Sequence, residues 1–88
     1  MQIELYEKAI TDLDFWGKSG NKAIQTKIQL FFADMLLHPF SRIGKPEPLK
    51  FKLAGKWSRR ITREHRIIYE VIEQNIFVYS LRAITSKQ

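Results

Sequence analysis

Cysteine is absent from this chain of 88 residues, and histidine occurs twice, at His38 and His65. The lack of cysteine excludes disulfides, thiolate metal sites and a cysteine nucleophile. Two histidines are also too few for a zinc site built on histidine. We therefore expect a protein that uses no metal ion and no cofactor, with a core held together by apolar packing.

Long hydrophobic runs are missing as well. The longest apolar stretch, residues 28–37, is interrupted by Gln29 and Asp34, and a membrane-spanning helix needs roughly 20 apolar residues. The N-terminus has neither the basic nor the apolar segment of a secretory signal. The sequence therefore predicts a cytoplasmic protein without membrane contact, and its length predicts one domain over residues 1–88.

Acidic residues are scarce: nine stand against fifteen basic ones, for a net charge of +6. Residues 1–44 carry five of each sign, so the whole excess lies in residues 45–88. The charge is densest from Arg42 to Arg66, where nine basic and two acidic residues give +7. Such density predicts a polyanionic partner, with nucleic acid the obvious case. Charge alone leaves a solvated basic face without a partner equally open.

Two helices are predicted in the N-terminal half, because apolar side chains recur there three and four residues apart. The first helix covers residues 7–17. The second begins after Asn21, which can cap it, and is stopped by Pro39. A short alternating stretch at residues 2–6 precedes both helices and is typical of a strand.

Three strands are predicted in the C-terminal half, at residues 57–62, 65–71 and 76–82, with a turn at residues 73–75. Helices followed by strands indicate an α+β fold, in which the helical hairpin packs on one face of a small antiparallel sheet. The other face is expected to be open and to carry the basic side chains.

Glu47 lies between Pro46 and Pro48 in an irregular loop over residues 41–56, so its backbone is stiff. A carboxylate near arginines stays ionised, as a general base must. RNA cleavage needs no metal, because the nucleophile is the substrate's own 2′-hydroxyl; it needs a base, a cation for the phosphorane and an acid. These requirements favour Glu47 as the base and Arg66 as the cation. An ordinary surface glutamate is the alternative.

The remaining basic residues are predicted to bind RNA phosphates along a charged, concave sheet. The strands lack the aromatic signature of an RNA-recognition motif, and single-stranded or loop-like RNA fits such a surface better than duplex DNA. The predicted RNA-binding residues are Lys45, Lys50, Arg59, Arg60, Arg63 and Arg82.

Three motifs in succession resemble one known family. They are Gly-Lys-Pro-Glu-Pro-Leu-Lys at residues 44–50, Leu-x-Gly-x-Trp-Ser-Arg-Arg-Ile-Thr at 53–62, and Glu-His-Arg-x-x-Tyr at 64–69. They are similar to the YoeB/Txe toxins of the RelE-like superfamily, and the similarity extends over nearly the whole chain. It implies a RelE-like fold of the microbial-ribonuclease type. It also implies a toxin of a type II toxin–antitoxin system that cuts mRNA in the ribosomal A site.

The resemblance implies partners and residue roles too. The partners are a YefM/Phd-type antitoxin, the ribosome with its mRNA and, in many members, a second copy of the toxin. Glu47 matches the family's general base, and Arg66 matches its phosphate-stabilising arginine. Reading of operator DNA belongs to the antitoxin in this family, so no direct sequence-specific DNA binding is expected of this chain.

The C-terminus departs from the family. Related chains usually end in His-Tyr, whose histidine is taken as the general acid, whereas Ile84 and Thr85 occupy these positions here. Isoleucine cannot donate a proton, and His65 is expected to point away from Arg66 because neighbours in a strand face opposite sides. We therefore expect a weakened endoribonuclease. Three alternatives stay open: a non-catalytic toxin that binds antitoxin or ribosome, an altered C-terminus, and a plain RNA-binding domain.

Overall fold

Two helices pack on one face of a five-stranded sheet in the computed structural model, which describes residues 2–84. This confirms the predicted α+β fold. Within these residues, neither helix is long and apolar enough to cross a membrane. The elements are β1 (Ile3–Leu5), α1 (Glu7–Lys18), α2 (Lys22–Leu37), β2 (Glu47–Pro48), β3 (Trp57–Arg60), β4 (His65–Ile72) and β5 (Asn75–Ile84), with a 3₁₀ turn at Phe51–Leu53.

The sheet is mixed rather than purely antiparallel. Its strand order is β1-β5-β4-β3-β2, and β3, β4 and β5 pair antiparallel as predicted. Strand β2 also pairs antiparallel with β3, although its residues lie in the stretch that was predicted to be an irregular loop. Strand β1 runs parallel to β5, with Ile3 opposite Ile76. The direction of β1 was not predictable from turn signals, because both helices and three strands separate it from its partner. The predicted turn between β4 and β5 is present, and Glu73 adopts a positive φ of 57° there.

The core lies between the helices and the sheet. Ala9 and Trp16 of α1, with Ile28, Phe31 and Met35 of α2, are buried against strand residues that include Ile67, Tyr69, Val78 and Leu81. The N-cap prediction is confirmed, since the side-chain oxygen of Asn21 accepts a hydrogen bond from the Ile24 amide at 3.1 Å. The apolar stripe of α2 therefore belongs to the core, where full burial of each large side chain contributes about 1.5–3 kcal/mol.

Asp12 joins α1 to an irregular part of β5. The pairing of β4 with β5 shifts register between Arg66 and Tyr69, and bulges of this kind leave backbone groups without ladder partners. The buried Asp12 carboxylate accepts the amide hydrogens of Leu81 at 2.9 Å and Arg82 at 3.1 Å. One acidic side chain thus fixes the C-terminal part of β5 against α1.

Candidate active site

The strand register gathers the main candidate residues on the face away from the helices. Glu47 pairs with Ser58 across β2 and β3, and Arg60 pairs with Arg66 across β3 and β4. Paired residues in antiparallel strands point to the same side of the sheet, and so do residues two apart in one strand. Glu47, Ser58, Arg60 and Arg66 therefore share the open face.

Arg66 is in direct contact with Glu47. Its Nη1 donates one hydrogen bond to a Glu47 carboxylate oxygen and another to Ser58 Oγ at 2.8 Å. The Arg66 side chain is 15% exposed, whereas that of Glu47 is 54% exposed. The predicted base and the predicted cation are thus adjacent, with the arginine held by the sheet and the carboxylate open to solvent.

The loop before Glu47 is pressed against α2 and β3. The Gly44 carbonyl accepts the Arg60 amide hydrogen at 2.8 Å. Gly44 has a φ of 79°, and a Cβ atom there would lie 2.8 Å from Phe31 Cζ and 3.1 Å from Arg59 Cβ. Only glycine fits so close an approach in the left-handed region, so Gly44 fixes where the strand of Glu47 begins.

The structure contradicts the prediction that Arg59 binds RNA, because its side chain is 0% exposed. Arg59 and Arg60 are neighbours in β3, so when Arg60 faces outward Arg59 must face the helices. All five N–H groups of its guanidinium have partners inside the protein. The acceptors are the Asp34 carboxylate at 2.6 Å, the Tyr69 hydroxyl at 3.2 Å, and the carbonyl oxygens of His38, Ser41 and Ile43.

Tyr69 completes this buried group. Its hydroxyl donates to the Pro39 carbonyl at 2.6 Å and accepts from Arg59 Nε. Burial raises the pKa of Tyr69, an effect that the neighbouring Arg59 opposes. Together, Arg59 and Tyr69 bind the backbone of residues 38–43, the segment that leads to Gly44 and Glu47. Their part in the site is to position that segment.

The other predicted RNA-binding residues fall into two groups. Lys45, Lys50, Arg60 and Arg63 are exposed, as RNA contact requires. Arg82 is half-buried, and its guanidinium lies 3.5 Å from the centre of the Phe15 ring on α1. Contact between Arg82 and RNA therefore competes with a cation–π interaction inside the protein.

A second polar group on the open face is centred on Tyr79. Its hydroxyl donates to Glu70 Oε1 at 2.6 Å, and Lys56 Nζ lies 4.7 Å from its ring centre. The hydrogen bond to Glu70 is the main cause that raises the pKa of Tyr79, and partial burial adds to it. Tyr79 therefore keeps its proton across the neutral range.

The general-acid position is aliphatic. Ile84 is 68% exposed at the end of β5, opposite His65, and Thr85 lies outside the described residues. The His65 ring packs edge-on against Trp16 of α1 at 5.3 Å between ring centres. His65 therefore faces the helices, as strand alternation predicts, and the sheet separates its ring from the Glu47 side. His38 caps the C-terminus of α2.

Two residues of this site were missed from the sequence. Ser58 orients Arg66, and strand alternation was the available signal, because Ser58 stands two residues before Arg60. Asp34 neutralises the buried Arg59 from α2. No local signal marks it, since the two residues come together only through the packing of helix on sheet.

Comparison with known proteins relates this chain to one family. A family model described as the YoeB-like toxin of bacterial type II toxin-antitoxin systems matches residues 5–84. Toxin YoeB of Escherichia coli strain K12 is 39% identical over 82 residues, which cover 93% of this chain and 96% of that protein.

Solved structures agree as well. The YoeB/ParE toxin from Agrobacterium tumefaciens superposes with a TM-score of 0.91 at 36% identity, over 97% of this chain and all of that one. YoeB from Staphylococcus aureus, solved as a dimer, superposes with a TM-score of 0.86 at 30% identity, over 97% of this chain and 98% of that one. The Staphylococcus aureus toxin in a heterotetrameric complex with YefM has a TM-score of 0.84 at 31% identity, over 94% of this chain and 95% of that one. The chain therefore belongs to the YoeB-like toxins of bacterial type II toxin–antitoxin systems.

Proposed function

We propose that this toxin is an endoribonuclease that cleaves mRNA on the ribosome through attack by the RNA 2′-hydroxyl, without a metal ion. The observation that carries the proposal is the contact between Glu47 and Arg66 on an open, basic face. Membership in the YoeB-like family supports the proposal, because RNA cleavage is the expected use of a Glu–Arg pair in that family.

Each residue has one task in the reaction. The Glu47 carboxylate accepts the proton of the 2′-hydroxyl, whose oxygen then forms a bond to the adjacent phosphorus. Arg66 donates hydrogen bonds to the non-bridging oxygens as the phosphorane gains charge. The bond to the 5′-oxygen then breaks, which leaves a 2′,3′-cyclic phosphate and a 5′-hydroxyl that takes its proton from water.

The surrounding charges favour phosphate binding. Arg60 and Arg66 are directly opposite in the strand register, and like charges in that position repel. A phosphate placed between them relieves the repulsion and gains charge-assisted hydrogen bonds. Lys45, Lys50 and Arg63 extend the positive surface for the flanking phosphates.

The aliphatic Ile84 favours a slow reaction. General acid catalysis typically contributes about 10²–10⁴-fold, and the described residues place no histidine ring on the Glu47 side of the sheet. The same observation supports a second candidate function, a non-catalytic toxin that binds antitoxin or ribosome. Family membership excludes the remaining alternative, a nucleic-acid-binding domain unrelated to these toxins.

Translation-coupled cleavage distinguishes the two candidates. A purified cell-free translation system receives the wild-type chain or Glu47→Gln, and new mRNA 5′-ends are mapped by primer extension. We expect cleavage by the wild type and a loss of about 10²–10⁴-fold in Glu47→Gln. Glu64→Gln, which removes an exposed carboxylate near the same strands, is the matched control and should cleave normally.

A restored C-terminus sharpens the result. Ile84 pairs with His65 on the helix side of the sheet, so a restored imidazole acts only if it turns around the end of β5 to the Glu47 side. In that case Ile84→His combined with Thr85→Tyr should raise the cleavage rate. If the wild type is inactive and only the restored variant cuts, the non-catalytic function is correct. If neither cuts, the endoribonuclease proposal is wrong. If the wild type cuts and Glu47→Gln cuts equally fast, Glu47 is not the base.

We also propose a YefM-like antitoxin as partner and a homodimer as one assembly, because the Staphylococcus aureus relative was solved in both forms. An acidic antitoxin segment would cover the basic surface of residues 42–66 and fold as it binds. Complex formation should weaken steeply between low and high salt, as titration calorimetry measures. An affinity that is independent of salt would contradict this electrostatic account. Light scattering of the isolated toxin tests the dimer.

A further inference from the structure

Phe51 is an aromatic side chain held out in solvent. It is 85% exposed, the largest exposure among the large hydrophobic side chains in residues 2–84. Its φ is 58°, a left-handed conformation that is unusual for a bulky residue and costs free energy. Neither the core nor the proposed catalytic steps account for a phenylalanine at this position.

The turn that carries Phe51 is firmly bonded. Within it, the Leu53 amide donates to Lys50 at 3.1 Å and the Ala54 amide donates to Phe51 at 3.0 Å. At its base, the Leu49 amide donates to the Lys56 carbonyl at 2.9 Å. These bonds fix the backbone that carries the ring, so a flat partner meets a side chain whose point of attachment is ordered before binding.

The surroundings of Phe51 are cationic and close to Glu47. Exposed Lys50 and Lys52 flank it, and a shallow cavity of about 190 Å³ is lined by Glu47, Pro48, Leu49 and Lys50. Phe51 is four positions after Glu47, a distance of at most about 14 Å along an extended chain. A nucleotide near the scissile phosphate is therefore within reach of the ring.

We propose that Phe51 stacks on a nucleobase that lies next to the cleavage point, while Lys50 and Lys52 hold the phosphates on either side of that nucleotide. A ring flanked by two cations matches the chemistry of a nucleotide, in which an aromatic base is joined to anionic phosphate. The inference rests on the proposed ribonuclease function and adds a base-binding subsite to it. Because every base has a π face, this subsite tolerates any of the four bases.

An antitoxin peptide is the competing occupant of this ring. A nucleobase is favoured because the ring stands alone between two lysines: Lys50 and Lys52 meet phosphate, whereas an apolar peptide anchor needs a pocket with apolar walls. The neighbouring cavity does not supply such walls, because two of the residues that line it are charged: Glu47 and Lys50, beside Pro48 and Leu49.

An abasic scan tests the inference. Ribosomes are programmed with mRNA carrying a single 2′-deoxynucleotide at the cleavage point, which blocks the reaction, and abasic nucleotides are placed one at a time around it. At one position, loss of the base should weaken wild-type binding roughly 5- to 150-fold. Phe51→Ala should bind all the programmed ribosomes weakly, and removal of the base at that position should not weaken its binding further.

Further variants separate stacking from apolar contact. Phe51→Trp should keep the sensitivity to the abasic position, and Phe51→Leu should lose it. Leu37→Ala, which trims another exposed apolar side chain, should behave like the wild type. Since Phe51 is exposed, none of these variants is expected to change the unfolding midpoint by more than the control does.

Three results would overturn the inference. If the wild type binds programmed ribosomes but no abasic position couples to Phe51, the ring does not stack on a base. If Phe51→Ala weakens binding of a YefM-like antitoxin and leaves ribosome binding intact, the ring serves the antitoxin. If the wild type neither binds nor cleaves, the proposed function itself fails, and the base subsite fails with it.

Discussion

Replacement of Arg59 by lysine tests the finding that this residue positions the site and does not bind RNA. A guanidinium has five N–H donors and an ammonium has three, so at least two of the five acceptors around Arg59 lose their donor. A buried acceptor without a donor costs about 1–3 kcal/mol. The free energy of unfolding should therefore fall by about 2–6 kcal/mol.

This loss is a large share of the total stability. A folded domain is stabilised by about 0.05–0.15 kcal/mol per residue, which for 88 residues amounts to roughly 4–13 kcal/mol. Urea-induced unfolding at low temperature, followed by tryptophan fluorescence, measures the change. Arg60→Lys is the matched control, because the neighbouring arginine is exposed and surface substitutions stay within about 0.5 kcal/mol.

A double-mutant cycle with Asp34→Asn assigns the effect to the buried pair. Residues in contact couple by about 0.5–3 kcal/mol, so the two substitutions together should cost less than the sum of their separate effects. The reasoning is refuted if Arg59→Lys unfolds at the wild-type urea concentration and binds RNA more weakly. That outcome would restore the RNA-binding role that the sequence predicted for Arg59.

Three further outcomes are expected. Gly44→Ala should lower the free energy of unfolding by about 2–5 kcal/mol, because of left-handed strain and overlap with Phe31. Gly17→Ala is the control and should not destabilise the chain, since an added Cβ there meets nothing within 4 Å. Urea unfolding measures both. In the folded protein the pKa of Tyr79 is raised above its ordinary value of 10.0. At pH values above 10, the folded state therefore binds more protons than the unfolded state, and the protein loses stability as the pH rises through this range. Tyr79→Phe should reduce this alkaline loss in thermal melts. Asp12→Asn should cost about 1–2 kcal/mol, since bonds to a charged acceptor are stronger than neutral ones, whereas Asp14→Asn, at an exposed carboxylate, should cost almost nothing.

Local signals in the sequence predicted much of the fold and part of the site. Helical spacing and the cap at Asn21 gave both helices, and alternation along β4 placed His65 and Arg66 on opposite faces. Glu47 was recognised because two prolines flank it. Each of these features depends on residues within a few positions of one another, which is why single-sequence patterns detect them.

The missed features depend on residues far apart in the chain. Arginine is mostly exposed in proteins, and the burial of Arg59 becomes favourable only when acceptors from α2, the following loop and β4 surround it. The direction of β1 depends on β5, which lies at the other end of the chain. The positive φ of Phe51 arises from the turn as a whole, and phenylalanine itself gives no sign of it.

The pairing of β1 with β5 has a consequence for synthesis of the toxin. The first strand finds its partner, with Ile3 opposite Ile76, only after more than seventy further residues have been translated. Because β5 also holds Trp16 and Asp12 of α1, the N-terminal half lacks its main packing surface until β5 leaves the exit tunnel. Contacts of such long sequence separation slow folding, because loop-closure entropy opposes them. A nascent chain that has not yet released Ile76 from the ribosome therefore has neither its complete sheet nor the surface on which α1 packs.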